Sequence, residues 1–347
     1  MANATPNRLG VNVGTTDGSW EQDNYLFEQL YLTEVMGAFL QSNVMDGITR
    51  SRTISHGKSA SFPRMWKTHA QYHTPGTDLL GTNNVEQSEK IIKIDSRLAS
   101  DVFVDTLDEL KLHYDVRTEI ARQQGHALAK RYDINAIRKI AQAARKGQGG
   151  ASEMTFGSDF DGVLDRVVNN PNFATSGDDL VTGFWQAAEI LDKNDVPAED
   201  RYMVLGPQQY YLLFQSTNVF PLNRDYGGSG NVNTPVLPEL AGFKVIKTNH
   251  MNQLGGNYAG EAGEENGYAG DYTGSVGVAF HKDAIATLKL QDLTFNVVDQ
   301  PQKFGNLLIA SMACGTDILR EEAAVELNTN VAGYGTSSST ASGGEQY

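Results

Sequence analysis

One stretch constrains the fold more than any other. Asp115 is a suitable helix N-cap. Behind it Val116, Ile120, Ala127, Ile134, Ile137, Ala141 and Ala144 recur at steps of three, four and seven, the spacing of one helix face. Gly147, Gly149 and Gly150 end the pattern in the manner of a C-cap. The spacing predicts a helix over 115–146, about 48 Å long at 1.5 Å per residue. A helix of that length either crosses a domain as a spine or pairs with another. Gly125 and the run Asp133, Ile134, Asn135 weaken its middle, where it could kink. The segment also concentrates positive charge: Arg117, Arg122, Lys130, Arg131, Arg138, Lys139, Arg145 and Lys146 stand against Glu119 and Asp133 alone. The whole chain, by contrast, has 28 Lys+Arg against 42 Asp+Glu and a formal net charge of −14. A solvated face is the ordinary reading of such a helix. The sharper one is a face turned toward a polyanion or an acidic partner.

The 347 residues suggest about two domains, and a hydrophobic content of 40% is ample for packed cores. The acidic balance argues against a surface devoted to clamping nucleic acid. A single cysteine, Cys314, excludes a disulfide framework and a cysteine zinc site within one chain, and is read as a small core residue. Residues 1–24 are polar with no apolar signal region, and the strongest apolar run, Leu307 to Cys314, is far too short to span a membrane. The expectation is a soluble protein made inside the cell.

Along the chain, Tyr25 to Leu40 has helical apolar spacing. Residues 58–95 read as a long two-stranded hairpin, with Phe62, Arg64, Trp66 and Tyr72 on one parity of the outgoing strand and Ile91 and Ile92 in the returning one. Beyond the helix the pattern is mixed α+β. Helices are expected over 178–191 and 208–214, and strands over 201–205, 243–247, 276–280, 286–290, 295–298 and 307–312. Residues 255–271, Gly-rich and acidic, read as an exposed loop, and 331–347 as a flexible tail.

Several motifs invite chemistry. Ser55 to Ser59 resembles the end of a phosphate-binding loop, but Arg52 stands where that loop requires glycine. Asp159, Asp161 and Gly162 resemble the first motif of haloacid-dehalogenase-type phosphatases, which would make Asp159 a nucleophile and Asp161 a general acid/base with Mg²⁺. The stretch before them is broken by Gly157 and does not read as the buried strand this chemistry needs. His69 and His73 are spaced like a zincin pair, yet on a strand they would lie about 13 Å apart. No catalytic, cofactor or metal site is expected from these residues.

A hairpin alone is marginal in water, and one carrying aromatic residues along a face calls for a partner. With a polar N-terminal arm and a very long helix, the chain reads as an interlocking building block. A series of segments in order then resembles the major capsid proteins of T-seven-like short-tailed phages (podoviruses). The series comprises Ile54 to Pro63, His113 to Arg117, Val196 to Arg201, Gly242 to Val245, Phe280 to Lys282 and Lys289 to Leu293. That resemblance implies an α+β chain with the Hong Kong 97-type capsid fold: an N-terminal arm over 1–57, an extended E-loop over 58–95, and a peripheral domain over 96–169 with its spine helix at 115–146. An axial domain over 170–275, peripheral return strands over 276–330 and the tail 331–347 complete it. It implies a structural, non-enzymatic subunit that assembles as hexamers and pentamers into an icosahedral head around double-stranded DNA, needs no cofactor, and reaches the virion after assembly in the bacterial cytoplasm. Expected partners are further copies of itself, a separate scaffolding protein, a portal protein and packaged DNA, with no membrane. The expected E-loop contacts are Lys58, Phe62, Arg64, Trp66, Tyr72, Ile91 and Ile92. The expected interior basic face is Arg117, Arg122, Lys130, Arg131, Arg138, Lys139 and Arg145.

Overall fold

A computed structural model describes residues 43–65, 70, 72–73, 75–76, 78, 87–105, 116–146, 166–216, 237 and 239–329. The expected helix near 25–40, Trp66, His69, the aspartates at 159 and 161, and the tail lie outside the described residues.

The chain divides into two compact units, one made of 1–42, 100–129 and 295–310, the other of 43–99, 130–294 and 311–347. In the first unit, Gln124 is buried and its side-chain amide donates to the carbonyls of Ser100 (3.2 Å) and Leu308 (3.1 Å). The cost of burying that amide nitrogen is thereby offset by two donated bonds.

The second unit is built on a six-stranded mixed sheet. Its strands are β5 (Val167–Asn169), β6 (Arg201–Leu205), β7 (Glu239–Leu240), β8 (Phe243–Lys247), β11 (Ser275–His281) and β14 (Ala324–Asn328), in the order β5-β14-β11-β6-β8-β7. Strand β11 lies antiparallel to both β14 and β6, while β8 returns parallel to β6. Two helices pack beside this sheet, α2 (Gly177–Lys193) and α3 (Pro207–Gln215). Helix α2 begins where Ser176 accepts a hydrogen bond from the Asp179 amide. Asp178 and Asp179 occupy its first turn and Lys193 its last, so cap and charges suit the helix dipole at both ends. It buries Leu180, Val181, Phe184, Ala187, Ala188 and Leu191 in one core with Met203, Phe243, Val278 and Phe280. Gly183 is required there: a Cβ would sit 2.8 Å from the Phe173 ring.

Helix α1 (Val116–Arg145) is the expected spine, within one residue at each end and unbroken across Gly125 and Asp133. Its C-terminus is capped from a distance. The buried Arg166 guanidinium donates to the carbonyls of Ala143, Ala144 and Lys146, which the helix itself leaves unpaired.

The remaining strands are β1 (Arg50–Thr53), β2 (Ser59–Met65), β3 (Gln87–Lys93), β4 (Leu98–Asp105), β12 (Ile285–Gln300) and β13 (Gly305–Ile318). A four-stranded sheet has the order β1-β12-β13-β4, and β2 pairs antiparallel with β3. The strands expected at 286–290 and 295–298 are one continuous strand, β12. No turn residue separates them, so polar Gln291 and Asp292 continue the ladder. A two-stranded ladder of β9 (Asn257–Tyr258) and β10 (Gly270–Asp271) closes the segment between β8 and β11.

Candidate assembly surfaces and the charged helix

The hairpin root has two unlike faces. Register pairs Phe62 with Lys90, Arg64 with Ser88, and Ala60 with Ile92. On one face Phe62 and Ile92 are buried in a core with Ile94, Ala286, Leu288, Ala313 and Leu319. Arg64, also buried, donates to the Leu319 carbonyl at 3.1 Å. Phe62, Arg64 and Ile92, expected as outward contacts, therefore hold the hairpin to its own chain. Period-two alternation fixes which residues share a face, but not which face the rest of the fold covers. The opposite face carries Ile91 at 56% and Met65 at 61% exposure, and Tyr72 beyond the strand is fully exposed. Lys58 is exposed at the base, and its carbonyl accepts from the Ile94 amide at 2.9 Å.

The basic helix is the larger correction. Of the seven cations expected to form an interior basic face of the helix, four are turned to partners within the chain. Arg131 lies 2.7 Å from Glu261 and 3.1 Å from Glu264, and donates to the Tyr258 hydroxyl. Arg138 is buried, donates to the Leu254 carbonyl at 2.7 Å and stacks 3.5 Å from the Tyr258 ring centre. Lys139, also buried, lies 3.2 Å from Asp317 and donates to the carbonyls of Asn266 and Gly267. Arg145 pairs with the wholly buried Glu326. Arg122 and Lys130 are exposed, and the side chain of Arg117 lies outside the described residues.

Burial drives the electrostatics of this seam. It lowers the basicity of Arg138 and of Lys139, the latter opposed by Asp317. Burial also acts to lower Arg131, but Tyr258, Glu261 and Glu264 together hold it above its ordinary value. Asp95 is raised by burial against the hydrogen bonds of Tyr268, Asn266 and Glu265, and burial lifts the Tyr272 phenol to about 12. For Arg131, Lys139 and Arg145 the counter-charges lie over a hundred residues downstream, beyond the reach of a local charge count.

Elsewhere the chemistry is quiet. Gly57 and Lys58 lead into strand β2 and not a helix, so the phosphate-loop resemblance lacks its context. Among the described residues no group of three or more His, Cys, Asp or Glu could hold a metal ion, and no helix is long and apolar enough to cross a membrane. Cys314 packs against the main core with its thiol pushed up to about 12 by burial.

What the fold defines is a phage capsid subunit. The chain is similar to the solved capsid structure of cyanophage P-SCSP1u, with a TM-score of 0.71 and 35% identity over 95% of this chain and 99% of that one. It is also similar in fold to the subunit of the bacteriophage PhiM1 mature capsid, with a TM-score of 0.67 and 17% identity over 94% and 93% of the two chains. A family model described as Gp10A-like major capsid protein matches residues 61–328. The major capsid protein of Escherichia phage T7 is 28% identical over 337 residues, covering 91% of this chain and 95% of that one, and the major capsid protein of Enterobacteria phage T3 is equally similar over 334. The chain belongs to the Gp10A-like major capsid protein family. It is a structural protein of the phage virion, and the phosphatase reading of Asp159 and Asp161 has no support.

Proposed function

We propose that copies of this chain assemble as hexamers and pentamers into an icosahedral head around double-stranded DNA, with the hairpin 58–95 laid over a neighbouring copy. The observation that carries this reading is the division of the hairpin root into a face seated on its own core and a face exposing Met65 and Ile91. Exposed apolar side chains on an extended ribbon are covered at low cost by a second copy of the same chain. In this scheme residues 170–275 form the axial domain, and the helix with the strands after 276 the peripheral one. Arg122 and Lys130, with exposed side chains, would meet packaged DNA. A separate scaffolding protein and a portal protein complete assembly in the bacterial cytoplasm.

The test is co-expression with the scaffold and imaging by negative stain. Wild type gives closed particles. A variant lacking 67–85 keeps Phe62, Arg64 and Ile92, and so remains folded by circular dichroism while forming no shells. Normal shells from that variant would refute the role given to the hairpin.

A further inference from the structure

The segment between Gly255 and Asp271 reads by composition as an exposed loop, yet its backbone is specified residue by residue. Gly255, Gly260, Gly263 and Gly267 all have positive φ, between +67° and +100°, so the chain turns back on itself repeatedly where a side chain would be strained. The β9–β10 ladder closes its ends. Between those ends its residues face two different elements in alternation.

Toward helix α1, Glu261 and Glu264 receive Arg131, the carbonyls of Asn266 and Gly267 receive Lys139, and the Ala269 carbonyl receives the Gln142 amide at 2.9 Å. Toward the hairpin root, the Gly263 carbonyl accepts from the Ser96 amide at 2.9 Å. The amides of Glu265 and Asn266 donate to one oxygen of Asp95, at 2.9 and 3.2 Å, and the Tyr268 hydroxyl donates to the other at 2.6 Å. The Asn266 side chain pairs with the main chain of Lys93 in both directions, donating at 2.8 Å and accepting at 3.3 Å. Asn266 thus bonds to the helix through its carbonyl and to the hairpin through its amide and side chain. Within 261–267, partners of the helix and partners of the hairpin interleave too closely for the segment to leave one without pulling on the other.

We infer that residues 255–271 form a clasp that couples the hairpin root to helix α1, so that loosening either attachment loosens the other. The clasp occupies the cationic strip of the helix with the chain's own carboxylates and holds the exit of β3 at Asp95. A change in the set of the hairpin is thereby felt along the helix, through bonds that are directional, and local in their strength, unlike the apolar contacts beneath Phe62. The inference is independent of where the hairpin goes in a shell, because every group involved lies within one chain.

Amide hydrogen exchange of the unassembled full-length chain tests it. Among the described residues the Arg131 side chain bonds only to the clasp, at Tyr258, Glu261 and Glu264. Arg131→Gln is expected to speed exchange at the Ser96, Glu265 and Asn266 amides roughly three- to tenfold, although Arg131 touches none of them. In the opposite direction, Asp95→Asn is expected to speed exchange at Glu261 and Glu264, which Asp95 does not bond. Strand β11 serves as the reference and keeps its protection in both. Faster exchange confined to the element carrying each substitution would overturn the coupling. If Arg131→Gln also exposes β11, the milder Glu264→Gln is read in the same way at Ser96, and an unchanged Ser96 amide there overturns it equally.

Discussion

The six-stranded sheet and the charged seam between α1 and residues 255–271 are held by different physics. Beneath the sheet, Phe184, Phe243, Val278 and Phe280 are wholly buried and bond to nothing through their side chains. Along the seam nearly every side chain has a named polar partner. Apolar burial is non-directional and roughly proportional to area, so the first region loses stability in proportion to the volume removed. The seam behaves otherwise: removing one member of a buried pair strands the other, while removing both can cost little.

The largest effect is therefore expected under the sheet. Phe280→Ala removes a wholly buried ring near the end of β11 and should cost about 3–5 kcal/mol by urea unfolding. A cost below about 1 kcal/mol would mean that the sheet core is not the stabilising centre. Where the end of α1 meets β14, Arg145→Met leaves the Glu326 carboxylate buried, with the Ser275 hydroxyl and the Asn328 amide beside it, and should cost about 3 kcal/mol. Adding Glu326→Leu to that variant should recover most of the loss. The comparison fails if the double variant is as unstable as the sum of the two single ones.

Alkaline titration sharpens the contrast next. Tyr272 lies in the seam, donating to the Tyr268 carbonyl and accepting from Gln142. Its folded value of about 12 exceeds the ordinary 10.0. A group held above its unfolded value contributes stability that is complete below the unfolded value and lost as pH rises through the folded one. Stability should thus decline between pH 10 and 12, by on the order of 2 kcal/mol from this group. Tyr272→Phe should flatten that part of the profile; an unchanged slope would place the titration elsewhere.

The difference between the two regions also explains what could be read from the chain. Helix α1, strands β6 and β8 and the helix expected at 178–191 are each local patterns of apolar spacing, and they stand within two residues of where that spacing puts them. Strand β4 carries no such signal, because Leu98 to Asp105 mixes Ser and Asp into a strand with no clean apolar alternation. The resemblance carried in ordered segments from Ile54 to Leu293 pointed to the capsid family. The side chains facing a partner were another matter. Parity grouped Phe62 with Arg64 correctly, yet nothing local says that Leu288 and Leu319 cover that face. Charge counting found the basic helix. Its counter-charges at Glu261, Glu264, Asp317 and Glu326 come from segments that only the fold brings near. Four glutamates and aspartates in 255–271 were visible as an acidic cluster, and opposite charge density at a distance was the one available signal.

The smallest effects rank the ion pairs by burial. Arg145 and Glu326 are 10% and 0% exposed, Arg131 and Glu264 24% and 11%, and Glu189 and Lys193 61% and 54%. The middle pair should be worth about 1 kcal/mol and weaken as salt is raised, since partly exposed charges are screened. The last is an i,i+4 pair on the open face of α2, with a nitrogen–oxygen distance of 2.6 Å, shorter than the 2.7 Å between Arg131 and Glu261. Distance alone would rank it among the strongest. Water around both groups keeps the local dielectric high, and two long side chains lose rotamer freedom to meet. Glu189→Gln should accordingly cost no more than about 0.5 kcal/mol, and nothing measurable in 0.5 M salt. A loss near 2 kcal/mol from that single exposed carboxylate would show that geometry outweighs burial in this chain, and would remove the distinction between seam and surface on which the ranking rests.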